Sequence, residues 1–151
     1  MRLTRIGGDV DGRARVEEAR AAIDTATALV TVMHSNNETG VLQPIADIAG
    51  LVRAVGAILH TDAAQSVGKV PLKVRELGVD LLSIAGHKLY APKGVGALYV
   101  RRGTPIVPFT LGAGHERGLR PGTENVAAIV GLGRACEIAG SDMETVAARV
   151  T

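Results

Sequence analysis

Short apolar runs alternate along this chain with longer stretches that have helical spacing. Three runs rich in Val, Ile and Leu are too short for confident helices and are typical of buried strands: residues 28–33, 57–59 and 79–84. Apolar residues three and four positions apart predict helices over residues 13–23, 44–55 and 126–139. This alternation predicts an α/β fold with a mainly parallel sheet flanked by helices.

Two further segments complete the predicted organisation. Residues 2–6 are expected to form a short strand. Residues 95–100 are expected to form another strand, and its link to residues 79–84 is too short for a parallel crossover. We therefore predict that this last strand runs antiparallel to its neighbour.

Polar residues that follow three of the strands are the main candidates for chemistry. Residues 34–40 and 60–65 follow two apolar runs, and Lys88 comes just after Gly86 ends the third. Ligands of open α/β sheets bind at the carboxyl ends of the strands, and a lysine walled by apolar groups can act as a nucleophile. Most lysines are instead solvated surface residues. An electrophilic aromatic cofactor that needs a lysine and a carboxylate, such as pyridoxal phosphate, accounts for all three strand ends.

Four motifs, in order, resemble those of one enzyme group. They are NNETG at residues 36–40, HTDAAQ at 60–65, SIAGHKLYAPKGVGALY at 83–99 and GHERGLRPGTEN at 114–125. The chain resembles the cysteine desulfurase and selenocysteine lyase family from about residue 2 to about residue 139. These are class V aminotransferase-like enzymes of pyridoxal phosphate fold type I. Four linked motifs are far more specific than a lone glycine pattern.

The resemblance implies roles at the cofactor ring for three residues. Lys88 matches the lysine that binds the cofactor aldehyde covalently. Asp62 matches the aspartate that faces the pyridinium nitrogen and keeps it protonated, so that the ring can accept electrons. Gln65 matches the residue that hydrogen-bonds the phenolic oxygen.

Three more residues match positions at the rim of the family's cofactor site. His87 matches a phosphate contact, and Asn37 matches a residue that bonds the cofactor or the substrate carboxylate. Thr123 matches a hydroxyl that reaches the phosphate of the neighbouring subunit, which implies a homodimer. Ala85 departs from the family, because some members carry a hydroxyl residue there, and Ser83 lies too far back on the strand to replace it.

Residues 1–151 match only part of the large domain of these pyridoxal phosphate-dependent transferases. The resemblance implies that the N-terminal part of that domain and a C-terminal small domain lie outside this sequence. The small domain carries the family's substrate-binding arginine and its sulfur-attacking cysteine. Cys136 falls within a helical pattern, so we expect a small buried side chain there, not the nucleophile.

The implied reaction removes sulfur from L-cysteine, leaving alanine and a persulfide that can pass to a sulfur-acceptor protein, as in iron-sulfur cluster assembly. Two alternatives stay open: a selenocysteine lyase acting on L-selenocysteine, or an inactive fragment that serves only as a binding or dimerisation module. An aminotransferase of the same class fits the four motifs less well.

Charge and composition exclude several other functions. The formal net charge is only +2 and the chain has three aromatic residues, which argues against binding nucleic acid. No run approaches the length of a membrane span and no signal-peptide pattern follows the first arginines, so we expect no membrane association. The four histidines stand far apart without cysteine partners, so no metal site is predicted. A single cysteine fits a reducing, cytoplasmic setting.

Overall fold

The structure is a computed structural model that describes residues 2–150, with the backbone alone described at residue 150. The three helices predicted from apolar spacing and the strands predicted at residues 28–33, 57–59, 79–84 and 95–100 are present in the predicted order. The helices and strands are α1 (Val16–Ala22), β1 (Leu29–Met33), α2 (Ile45–Ala54), β2 (Ile58–Asp62), α3 (Val74–Leu77), β3 (Leu81–Ala85), a 3₁₀ helix (Gly86–Leu89), β4 (Gly96–Val100), a second 3₁₀ helix (Glu116–Gly118) and α4 (Val126–Val150). The short helix α3 was not predicted.

The four strands form one mixed sheet in the order β1-β2-β3-β4. β1 and β2 are parallel, as are β2 and β3, whereas β4 runs antiparallel to β3. The predicted α/β fold with a mainly parallel sheet flanked by helices is therefore confirmed. The predicted direction of the last strand is also confirmed, since only six residues of loop and turn separate the 3₁₀ helix from β4.

The main core lies between one face of the sheet and the helices α1 and α2. Val30, Leu59 and Leu82 are its buried strand residues. The helices contribute a buried stripe, which consists of Ala19 from α1 and Ile45, Ile48, Ala49 and Val52 from α2. This spacing of three and four residues is the one that predicted α2 from the sequence.

A second, smaller cluster joins α4 to the segment that follows β3. Leu89 and Ala91 from that segment are buried with Leu132 of α4. Gly131 allows this close approach, because a Cβ atom there would lie 2.9 Å from Cγ and Cδ of Pro92. The 3₁₀ helix after β3 is thus held from both sides, by the strand and by α4.

The structure corrects several boundaries. Residues 2–6 form no strand and precede only an isolated bridge between Gly8 and Ala14, because no neighbouring strand pairs with them. β2 continues to Asp62, since β1 and β3 pair with its polar residues on both sides. α4 extends to Val150, well past residue 139.

The expectation that Cys136 is buried is wrong. This cysteine is exposed, because α4 packs against the smaller cluster through Leu132, Ala135 and Ala139. Cys136 lies beside that face, at the wall of a cavity of about 150 Å³ that Gly68 also lines.

No helix within residues 2–150 is both long enough and apolar enough to cross a membrane.

Candidate functional site

Three strand ends meet at one edge of the sheet. Met33 of β1 is in register with Asp62 of β2, and Asp62 is in register with Ser83 of β3. Backbone bonds continue this alignment past the strands: the N–H of His34 donates to the oxygen of Asp62 over 2.7 Å, and the N–H of Ala63 donates to the oxygen of Ser83 over 3.0 Å. The polar segments predicted from the sequence therefore begin side by side.

Asp62 is the last residue of β2 and its side chain is exposed. Because side chains alternate along a strand, Asp62 shares a face with His60, while Thr61 between them is fully buried in the core. One carboxylate oxygen of Asp62 accepts the N–H of Ala64 over 2.9 Å. That bond closes a tight turn and fixes the carboxylate at the sheet edge.

His60 lies behind Asp62 on the same face. Its Nδ1 is 2.7 Å from the hydroxyl oxygen of Thr31 on β1. Partial burial lowers the pKa of His60, and the negative charge of Asp62 opposes this shift. The face that carries Asp62 is therefore also polar at Thr31 and His60, a register pair that lies two residues before the end of each strand.

Lys88 lies on the 3₁₀ helix that follows β3 and is half-buried. The turn requires glycine at its start, because a Cβ atom on Gly86 would come within 2.6 Å of the carbonyl oxygen of Val95. Leu89 anchors its far end in the smaller cluster. Within residues 2–150 the amine of Lys88 makes no ion pair or side-chain hydrogen bond.

Two residues predicted for the site are exposed on the surface of the described chain. His87 lies next to Lys88 on the same 3₁₀ helix. Thr123 lies in the segment before α4, where Arg120 donates from Nη1 to the carbonyl oxygen of Gly122 over 2.8 Å.

A cleft of about 520 Å³ brings Asn37 and Gln65 together. It lies between the edge loop, which we define as residues 35–42, and the Gln65 turn, which we define as residues 63–70. Lys69 also lines this cleft, but Asp62, His87, Lys88 and Thr123 do not. The sequence reasoning missed Lys69. Lys69 comes four residues after Gln65, and this spacing in a turn was the signal that both side chains lie on the same side of the turn.

Three buried polar residues connect the two walls of the cleft. The hydroxyl of Ser66 lies 2.8 Å from Nδ1 of His34 and 2.6 Å from the hydroxyl of Ser35. We call these residues the Ser66 network. All three are at most 7% exposed, and burial lowers the pKa of His34. No individual role was assigned to His34 from the sequence, and both serines were missed, since nothing local in the sequence marks a serine as buried.

The edge loop has its own internal bonds. The side-chain oxygen of Asn36 accepts the N–H groups of Glu38 and Thr39 over 2.8 and 2.9 Å. The N–H of Asn36 itself donates to the carbonyl oxygen of Val41. These bonds form a compact turn, and Asn37 lies at its start, facing the cleft.

Comparisons with known proteins agree with this geometry. The family model "Aminotransferase class-V" matches residues 1–150. A cysteine desulfurase IscS from Anaeromyxobacter dehalogenans is 52% identical over 143 residues, which are 93% of this chain and 35% of the relative. A solved NifS-like protein superposes with a TM-score of 0.91 at 41% identity, covering 95% of this chain and 40% of that one. SspA, solved in complex with cysteine, gives a TM-score of 0.84 at 43% identity, covering 89% and 39%.

The match has two consequences. The chain spans about a third of the length of the curated relatives that it matches. The family resemblance inferred from the four motifs is confirmed, because the family model covers all but the last residue. This chain belongs to the class-V aminotransferase family.

Proposed function

We propose that this chain forms the cofactor-binding part of a pyridoxal phosphate-dependent cysteine desulfurase, with residues 1–151 as part of its large domain. The observation that carries the proposal is the placement of Lys88 and Asp62. Asp62 ends β2 and Lys88 follows β3, the neighbouring parallel strand, at the same edge of the sheet. Lys88 is half-buried, and the carboxylate of Asp62 is held by its own turn. Relatives about 50% identical to the chain are named cysteine desulfurases.

The residues at this edge fit the functional groups of the cofactor. Pyridoxal phosphate presents an aldehyde, a ring nitrogen, a phenolic oxygen and a phosphate. An amine, a carboxylate and an amide are the partners that the first three groups require, and Lys88, Asp62 and Gln65 supply them. When bound, the cofactor supplies an electron sink for the carbon next to the substrate amine.

Each residue then has a defined task. Lys88 would hold the cofactor through its aldehyde, and its Nζ atom would take the proton from the α-carbon of the substrate. Asp62 holds a proton on the ring nitrogen by its negative charge. Gln65 donates to the phenolic oxygen, and Asn37 across the cleft binds the cofactor or the substrate carboxylate.

The phosphate is assigned to residues that are exposed in a single copy. His87 lies beside Lys88 and would bind the phosphate of its own subunit. Thr123 would reach the phosphate held by a second copy, so the proposal includes a homodimer. This assignment is consistent with the exposure of Thr123 and its absence from the cleft.

We propose L-cysteine as the substrate, supported by the SspA relative, which was solved with cysteine. L-selenocysteine would use the same groups. We assign no sulfur-attacking role to Cys136, which lies on α4 beside Gly68 and does not line the cleft of Asn37 and Gln65. The persulfide product would pass its sulfur to an acceptor protein. The single cysteine of the chain supports a reducing, cytoplasmic setting.

A mapping experiment tests the assignment of Lys88. The purified chain is mixed with pyridoxal phosphate, reduced with borohydride, digested and analysed by mass spectrometry. We expect the adduct on Lys88, and none there in Lys88→Ala. Lys93→Ala is the matched control, because Lys93 is an exposed lysine of the same segment. If the adduct forms on Lys69, which lines the cleft, the proposal is contradicted. It is also contradicted if Lys88→Ala forms as much adduct as the wild-type chain.

A second candidate is a cofactor-binding module without turnover. The coverage of about a third of each relative favours it for the chain on its own. Adding L-cysteine to the cofactor-loaded chain and measuring sulfide and alanine separates the two candidates. We expect cofactor binding with little or no sulfide. More than one molecule of alanine per chain, with an equal amount of sulfide, would instead show that the chain is an enzyme on its own.

A further inference from the structure

The Ser66 network joins the two segments that carry Asn37 and Gln65. His34 and Ser35 directly precede the turn that carries Asn37, and Ser66 directly follows Gln65. Each of the two hydrogen bonds therefore crosses from the edge loop side of the cleft to the Gln65 turn. None of the roles assigned above uses these three side chains.

The network has a consistent direction of donation. With His34 neutral and its proton on Nε2, the Nδ1 lone pair accepts the hydroxyl proton of Ser66. The oxygen of Ser66 is then free to accept the hydroxyl proton of Ser35. Nδ1 of His34 and the hydroxyl oxygens of Ser35 and Ser66 each have a partner in this arrangement, and Ser66 hydrogen-bonds to both of the other residues.

Burial makes this connection costly to break. Ser66 is 1% exposed, and His34 and Ser35 are each 7% exposed. If the hydroxyl of Ser66 were removed, a ring nitrogen and a hydroxyl would both be left buried without a partner. The edge loop would have to move outward so that water could satisfy them.

We propose that Ser66 is a positioning residue which, through His34 and Ser35, locks the edge loop onto the Gln65 turn and so sets the spacing of the Asn37 and Gln65 amides across the cleft. The lock is independent of any ligand. Its consequence for binding rests on the proposed function, in which both amides contact pyridoxal phosphate or its substrate.

A pair of variants separates positioning from stability. Ser66→Ala removes the central hydroxyl of the network. Thr61→Val is the matched control. Thr61 is fully buried in β2, and its hydroxyl donates to the carbonyl oxygen of Val32 over 2.8 Å, away from the cleft. Both variants lose one buried hydroxyl, so we expect both to lower the urea midpoint of unfolding, and Ser66→Ala to lower it more because it leaves two partners unpaired.

The first measurement is amide hydrogen exchange on the ligand-free chain. The N–H groups of Asn36 and Gly40 are bonded inside the edge loop and report on its closure. We expect them to exchange about tenfold faster in Ser66→Ala than in Thr61→Val, the factor that one buried hydrogen bond supplies. Equal exchange in the two variants overturns the lock.

The second measurement is the affinity for pyridoxal phosphate, followed by its absorbance. We expect about tenfold weaker binding in Ser66→Ala and wild-type binding in Thr61→Val, again the worth of one buried hydrogen bond. Faster exchange with unchanged affinity overturns the positioning role. If the wild-type chain binds no cofactor, the proposed function fails, and the exchange measurement still decides whether the lock exists.

A second pair of variants serves if Ser66→Ala does not fold. His34→Asn keeps a hydrogen-bonding atom near the position of Nδ1, whereas His34→Leu removes it. We expect the exchange of Asn36 and Gly40 to stay closer to wild type in His34→Asn than in His34→Leu. The same rate in both variants contradicts a role for the bond to Ser66.

Discussion

Leu89 and Leu132 belong to one buried cluster, which fastens the turn that carries Lys88 to the helix α4. Leu89 immediately follows Lys88, so the packing of α4 helps to hold the backbone that carries Lys88. The site at the sheet edge is therefore supported from a helix that contributes no site residue to it.

The first prediction concerns that support. Leu132→Ala should lower the free energy of unfolding by about 2–5 kcal/mol, since it removes a side chain that is 8% exposed and leaves a cavity. It should also reduce the yield of the Lys88 adduct at fixed cofactor concentration. Ile138→Ala is the control on the same helix, because Ile138 is 46% exposed. A larger loss of stability in Ile138→Ala would contradict the packing described.

Two glycines of α4 provide a second, matched prediction. Gly133→Ala should raise the free energy of unfolding by about 0.5–1 kcal/mol, because alanine is the better helix former and its Cβ meets nothing within 4 Å. Gly131→Ala should lower it by about 1–3 kcal/mol, since its Cβ would be forced against the ring of Pro92 at 2.9 Å. Urea denaturation measures both. Equal effects in the two variants would show that α4 does not approach Pro92.

A third prediction concerns a link between β2, β3 and β4. Asp80 accepts the N–H of Leu59 over 2.9 Å and pairs with Arg101 at 3.2 Å, and both charged side chains are partly buried. Asp80→Ala should cost about 1–3 kcal/mol of unfolding free energy, because it leaves the Leu59 donor unpaired. Glu76→Ala, which breaks an exposed pair with Lys73, should cost about 0–1 kcal/mol. Similar losses in chemical denaturation would contradict this difference.

Acid should destabilise the chain through His34 and His60. Burial lowers the pKa of both below the ordinary value of 6.5, so below pH 6.5 the unfolded chain binds more protons than the folded one. The free energy of unfolding should therefore fall as the pH falls from 6.5 through the folded-state pKa values of the two histidines.

Denaturation curves between neutral pH and about pH 5 measure this slope. The carboxylates of Asp9 and Glu18, whose pKa values are lowered by hydrogen bonds, lose their stabilising effect at lower pH, below 3.8 and 4.5 respectively. His34→Asn and His60→Gln should each reduce the dependence of the unfolding free energy on pH in the range above pH 4.5, where the two carboxylates are mostly ionised. A slope that is unchanged in both variants would contradict the burial of the two imidazoles.

Most of the fold could be predicted from periodicity alone. The stripe that contains Ile45, Ile48 and Val52 is covered by the sheet, and Gly86 ends β3 where the pattern indicates. The prediction of a strand at residues 2–6 was wrong. Alternating apolar and charged residues form a strand only when a partner strand lies beside them.

The candidate site could be predicted only in part. Asp62 and Lys88 follow recognisable strand ends, so their common edge follows from the topology of parallel strands. The contacts of Ser66 could not be predicted, because they join residues about thirty positions apart through a turn whose direction depends on tertiary packing. The exposure of Cys136 was missed for a similar reason, since helical spacing does not show which side of α4 is covered.

The alternation of Thr61 and Asp62 along β2 has a consequence for folding. If β2 slipped by one residue against β1, Asp62 would turn toward Ile48 and Val52, and the hydroxyl of Thr61 would lose its acceptor on β1. An ionised carboxylate among those methyl groups is a heavy penalty. Asp62, the residue proposed to bind the cofactor, therefore also disfavours a shifted register, and its carboxylate faces away from the core in the correctly folded chain.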